Sequence, residues 1–83
     1  MKINIPISHG ELIDKLTILT IKLQKITDVV KIKNIQIEYD FLNNIYELLI
    51  KEDPNIKDYF NELISINMKL WEIEDNIRKL EKI

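Results

Sequence analysis

Asn67, Trp71, Glu74 and Arg78 follow one another at steps of four, three and four, so a helix would place them on one face. An indole beside a carboxylate and a guanidinium could wall a small-molecule site. The ring would supply a stacking face and the charges would fix the ligand's orientation. Asp75 adjoins this group, and a second group, His9, Glu11, Asp14 and Lys15, opens the first apolar helical stretch. Together Glu11, Asp14, Lys15, Asn67, Trp71, Glu74, Asp75 and Arg78 would surround one pocket for a sugar, a nucleotide or a carboxylate-bearing metabolite. Plainer roles stay open beside that one. Glu74 and Arg78 form an i,i+4 pair of the kind that stabilises a helix by about 0.2–0.5 kcal/mol. Trp71 suits a core or interface anchor, and His9 a local hydrogen bond.

Other chemistries find little footing. The chain has no cysteine and one histidine, which leaves no thiolate site and no structural zinc site. Ferritin-like di-iron sites need Glu-x-x-His on paired helices, and no histidine follows His9. A single glycine excludes a glycine-rich phosphate loop, and no nucleophile elbow is present. The pattern therefore assigns no catalytic residue, no metal and no cofactor.

Composition narrows the partners. Twelve basic against fourteen acidic residues give a net charge of −2, with the two signs interleaved. Arg78 is the only arginine, the side chain best shaped to fork a phosphate, so nucleic acid is not an expected partner. No run approaches membrane-spanning length, and Met1 to Ser8 lack the apolar core of a signal peptide, so a cytoplasmic protein is expected. At 83 residues the chain makes one small domain, of a size that is marginal unless well packed or oligomeric.

The elements that must position these residues follow from apolar periodicity. Residues 1–8 alternate, with Ile3, Ile5 and Ile7 on one side, and Pro6 keeps this arm out of a helix. It would pack over the helices or be exchanged with a second subunit. Ser8 and Glu11 have capping-box spacing ahead of a first helix over about 9–26, whose seam is Leu12, Leu16, Leu19, Leu23 and Ile26. Thr17 and Thr20 can bond back to their own helix. Asp28 suits the N-cap of a second helix over about 29–51, although a continuous or kinked helix there stays open. Asp53 as N-cap with Pro54 in the first turn predicts a third helix over about 54–82.

That third helix organises the chain on this reading. Ile56, Tyr59, Leu63, Ile66, Leu70, Ile73, Ile77 and Leu80 recur at alternating steps of three and four, a sustained 3.5-residue seam. Phe60, Ile64, Asn67 and Trp71 form a second stripe about a quarter-turn away. The other helices also carry apolar residues on two sides, with Ile18 and Ile21 on the first and Ile37 and Phe41 on the second. Contiguous stripes of this kind usually mark interfaces. Ile18, Ile21, Phe41, Phe60, Ile64 and Trp71 are accordingly the expected contacts of a homodimer, and another protein could use the same surface.

Two segments carry a family likeness. The opening Pro6-Ile7-Ser8-His9-Gly10-Glu11-Leu12-Ile13-Asp14-Lys15-Leu16-Thr17-Ile18-Leu19 and the later Asn67-x-x-Leu70-Trp71-Glu72-Ile73-Glu74-Asp75-Asn76-Ile77-Arg78 resemble the two motifs of an uncharacterised bacterial family of short proteins (DUF6165-like). The family is a domain of unknown function, sometimes associated with glycosyltransferase or surface-polysaccharide proteins. The resemblance singles out Gly10 and Thr17 as well as the polar residues named above, and implies that the two segments meet. Members continue into a further helical segment with an N-D-R-R-like motif, which this sequence does not contain.

The expected fold is all-α: an antiparallel three-helix bundle or long helical hairpin with a short extended N-terminal arm, dimerising into a larger bundle. The expected function is oligomerisation or protein interaction, with a small-molecule binding protein or small enzyme, its site between the start of the first helix and the second half of the third, as the alternative.

Overall fold

A computed structural model of the chain describes residues 9–81. The N-terminal arm and the Ser8 half of the capping box lie outside the described residues. Three helices run in sequence, α1 (His9–Lys25), α2 (Val29–Glu52) and α3 (Ile56–Glu81), with no strand among the described residues. The all-α three-helix architecture is as the periodicity predicts. Short connections turn the chain back at each junction, so α1 and α3 run parallel and α2 runs against both.

The junctions follow from local side-chain chemistry. At the first, the Asp28 carboxylate accepts hydrogen bonds from the backbone N–H of Val30 (2.9 Å) and Lys31 (3.2 Å). Those are orphan donors of the new helix, and capping them makes this a true break rather than a kink. At the second, the structure differs from the sequence reading. Asp53 closes α2, its N–H reaching Leu49 O at 2.9 Å, and its carboxylate accepts from Asn55 N at 3.1 Å. Pro54 and Asn55 then form a turn, with the N–H groups of Ile56, Lys57 and Asp58 donating to the carbonyl oxygens of Asp53, Pro54 and Asn55, and α3 begins at Ile56 rather than at Pro54. An Asx-type turn satisfies the same donors that an N-cap would.

The centre of the molecule is α1, not α3. Leu12, Ile13, Leu16, Thr17, Leu19 and Ile21 are all buried, whereas α3 has no fully buried residue. Leu42, Tyr46 and Leu49 of α2 complete the core, with Ile56, Phe60 and Leu63 of α3 packed against it. The Tyr46 and Phe60 rings meet at 5.2 Å and 41°, a tilted geometry that suits two ring quadrupoles. The shortest helix is thus shared by two longer neighbours, which spreads the molecule to 54 × 27 × 20 Å. Its radius of gyration is 14.8 Å, against about 12 Å for a compact chain of this length. More apolar surface stays wet than a closed bundle would leave.

The two stripes of α3 take opposite roles from those expected. Phe60, Ile64, Asn67 and Trp71 turn inward and are half-buried. Of the regular seam, Ile56 and Leu63 pack against the core, while the run from Ile66 onward turns outward, with Ile66 and Ile73 each 54 % exposed and Leu80 68 %. Of the six residues expected as dimer contacts, Ile21 is already buried within one subunit, and Ile18, Phe60, Ile64 and Trp71 are half-covered by it. Phe41, at 66 %, remains outside. The reason is lateral: stripes about 100° apart on one helix cannot both face the same neighbour.

Candidate functional site

The expected meeting of the two polar groups occurs at one point. The Asn67 side-chain N–H₂ donates to Asp14 Oδ1 at 2.8 Å and to Thr17 Oγ1 at 2.7 Å. The Thr17 hydroxyl donates to the Asp14 carbonyl oxygen at 2.7 Å, so its oxygen is left to accept. Thr17 is completely buried, and among the described residues no buried side-chain polar atom lacks a partner. Thr20 bonds back to Leu16 O in the same manner, at 2.8 Å. The node reads chemically as a structural lock: both amide protons are committed, to Asp14 and to Thr17.

Beside the node, α1 and α3 diverge into a groove of about 290 Å³, lined by Ile18, Ile21, Lys22, Asn67, Leu70, Trp71 and Glu74. It is largely apolar, with Lys22 and Glu74 supplying opposite charges. Ile18, Ile21, Lys22 and Leu70 were absent from the expected ligand site. The signal for them was present in the spacing, since Ile18 and Lys22 stand one turn and two turns beyond Asp14 on the same side of α1.

The other candidates go elsewhere. Lys15 turns to α2 and pairs with Glu38 at 2.8 Å, both side chains about half exposed. Asp75 pairs with Lys79 one turn on, at 3.2 Å. Glu11 lies exposed in the first turn of α1, and Arg78 is exposed in the last turns of α3. Of the eight expected ligand residues, Asn67, Trp71 and Glu74 line the groove and Asp14 is tied to its edge through Asn67. One pocket does not gather all eight. Among the described residues no cluster of three His, Asp or Glu side chains comes together as a metal would require. No described helix is long and apolar enough to cross a membrane.

The outer seam of α3 forms a run of exposed apolar side chains. Ile66, Leu70, Ile73 and Ile77 are each about half exposed or more, and Leu80 is more open still. Leu70 belongs both to this seam and to the groove, so the two form one surface. On α2, Ile37, Phe41 and Leu48 make a second, shorter exposed stripe.

No protein-family model, curated protein or solved structure matches this chain. The functional reading therefore stands on the surfaces just described.

Proposed function

We propose that this chain is a helical self-association module, an oligomerisation and protein-interaction unit of the cytoplasm whose docking surface is the outer seam of α3. One observation carries the reading. Five large aliphatic residues, Ile66 to Leu80, keep the 3.5-residue period of a helix that packs along another helix, yet each is about half exposed or more in the single subunit. The occupant is a second copy. A seam of this period is completed by another of the same period, which the copy supplies, and two copies meeting through one patch form a closed two-fold pair. The residues resembling the bacterial family's motifs fit this reading as architecture. Asp14 and Thr17 come from the first motif and Asn67 from the second, and their node holds α3 so that the seam faces outward.

The test is solution mass by sedimentation across a wide concentration range, for the parent chain and for Ile73→Lys. The expected result is a dimer that dissociates on dilution, with the variant monomeric and equally helical by circular dichroism. A parent chain that stays monomeric throughout overturns the reading and points to a different protein as the occupant.

A second reading is favoured by the groove itself. Trp71, Asn67 and Glu74 line a volume suited to a small molecule with an apolar body and a polar edge, such as a sugar or a carboxylate metabolite. Trp71 is the only tryptophan, so its fluorescence reports on the groove alone. A saturable change with simple sugars, nucleotides or dicarboxylates, lost in Trp71→Phe while the mass is unchanged, would favour this reading.

A further inference from the structure

The seam specifies more than association, because its heptad positions fix which charges flank it. Leu70 and Ile77 take the a positions, and Ile66, Ile73 and Leu80 the d positions. Lys69 then falls at g and Glu74 at the following e, both exposed. In a parallel, in-register pair each g residue lies against the next e residue of the other helix, where opposite charges set partner and orientation. We infer that the α3 seams of two copies pair in parallel and in register, with Lys69 of each copy against Glu74 of the other. This rests on the self-association reading above and specifies its geometry.

Antiparallel arrangements use the surface less well. There, a residues share layers with d residues and g flanks meet g flanks. The alignment that sets Glu62 opposite Lys69 leaves Ile77 and Leu80 beyond the end of the second helix. Moving one heptad along sets Lys69 against its own copy, a repulsive contact. The next alignment covers the seam but places Lys69 opposite Asn76, without an ion pair. Only the parallel alignment covers every layer and pairs the charges.

The number of strands follows from the neighbouring helix. Leu70 at a with Ile73 at d is an order that favours higher assemblies in a free coiled coil, whereas Ile77 with Leu80 favours two strands. Here Asn67, the e residue one heptad before Glu74, is bonded to Asp14 and Thr17, so α1 occupies the flank at that level, whereas Glu74 beyond it is exposed. A third or fourth strand needs the flank along its whole length, including the level of Asn67, which leaves room for two.

The experiment combines a cross-link with a charge exchange. The chain has no cysteine, so Leu80→Cys introduces a single thiol. At a d position of a parallel in-register pair the two thiols approach within disulfide reach. In the antiparallel alignment that covers the seam they would stand about 25 Å apart along the axis, at a rise of 1.5 Å per residue. The expected result is rapid oxidation to a covalent dimer. Lys69→Glu and Glu74→Lys should each weaken the dimer about tenfold at low salt, and the double exchange should restore it. A dimer that does not cross-link, or an exchange without rescue, overturns the parallel register while leaving self-association standing. A mass above the dimer overturns the two-strand geometry. A monomer at every concentration removes the reading on which the inference rests.

Discussion

Asn67 and Asp14 stand 53 residues apart in sequence and are joined by a 2.8 Å hydrogen bond from the amide of one to the carboxylate of the other. The same amide reaches Thr17, so a single side chain of α3 fixes both the azimuth of that helix and its height on α1. An amide fits where other groups do not. Asp14 can only accept, and the Thr17 proton is already given to the Asp14 carbonyl oxygen, so the third member has to donate twice.

Asn67 variants should show that requirement. Asn67→Leu leaves Thr17 and Asp14 each without one partner and is expected to cost about 1–3 kcal/mol. Asn67→Asp should cost more at neutral pH, because it sets a carboxylate against a carboxylate and an acceptor against an acceptor. Urea denaturation of the three proteins at one low concentration checks the order. Equal stability of Asn67→Asp and the parent would remove the lock from the account.

The two stripes of apolar residues should separate under mutation. Leu16, at the centre of the core, is expected to lose about 2–5 kcal/mol as Leu16→Ala. Ile73→Ser on the outer seam should change the stability of the dilute monomer by no more than about 0.5 kcal/mol. It should nonetheless weaken association, so thermal melts recorded at low and high concentration distinguish the two effects.

Alkaline pH should destabilise the fold through Tyr46. Burial is the main cause that raises its pKa above the ordinary 10.0, with the charge of Glu47 and then Tyr39 adding to it. The folded state thus holds this proton more tightly than the unfolded chain. Stability from this source is complete below pH 10 and falls as the pH climbs from there through the folded value. Unfolding midpoints in urea between pH 9 and pH 11 should drop less steeply for Tyr46→Phe than for the parent.

The start of α2 rests on one side chain. No acidic residue lies in its first turn, and Lys31 and Lys33 put positive charge near the positive end of the helix dipole. Asp28→Ala removes both the cap and the compensating charge, for an expected loss of about 1–2 kcal/mol. Asp28→Asn keeps the acceptor and should recover most of it, as measured by chemical denaturation.

Helix number and type were legible because they depend on local pattern. The Asp28 cap and the back-bonding threonines Thr17 and Thr20 could be read the same way, since each involves neighbours within a turn. The start of α3 was displaced by two residues because Asp53 had two local options, a helix cap and an Asx turn, that satisfy the same donors. Lys15 was legible as polar but not as a partner of Glu38, a contact that exists only once α1 and α2 are aligned. The candidate site was half legible for a similar reason. Spacing grouped Asn67, Trp71 and Glu74 on α3, but which residues of α1 would face them depended on the rotation of both helices.

By itself, the sequence determined three helices, their approximate ends and the presence of two apolar stripes on α3, since periodicity and capping act over a few residues. Tertiary structure decided which stripe is inside. Both are apolar enough to be buried, so hydrophobic free energy alone barely separates them. The difference comes from a polar match: the inner stripe carries Asn67 at the height of Asp14 and Thr17, where burial is possible only with hydrogen bonds made. Setting that node inward turned the later part of the other seam, Ile66 to Leu80, to the outside.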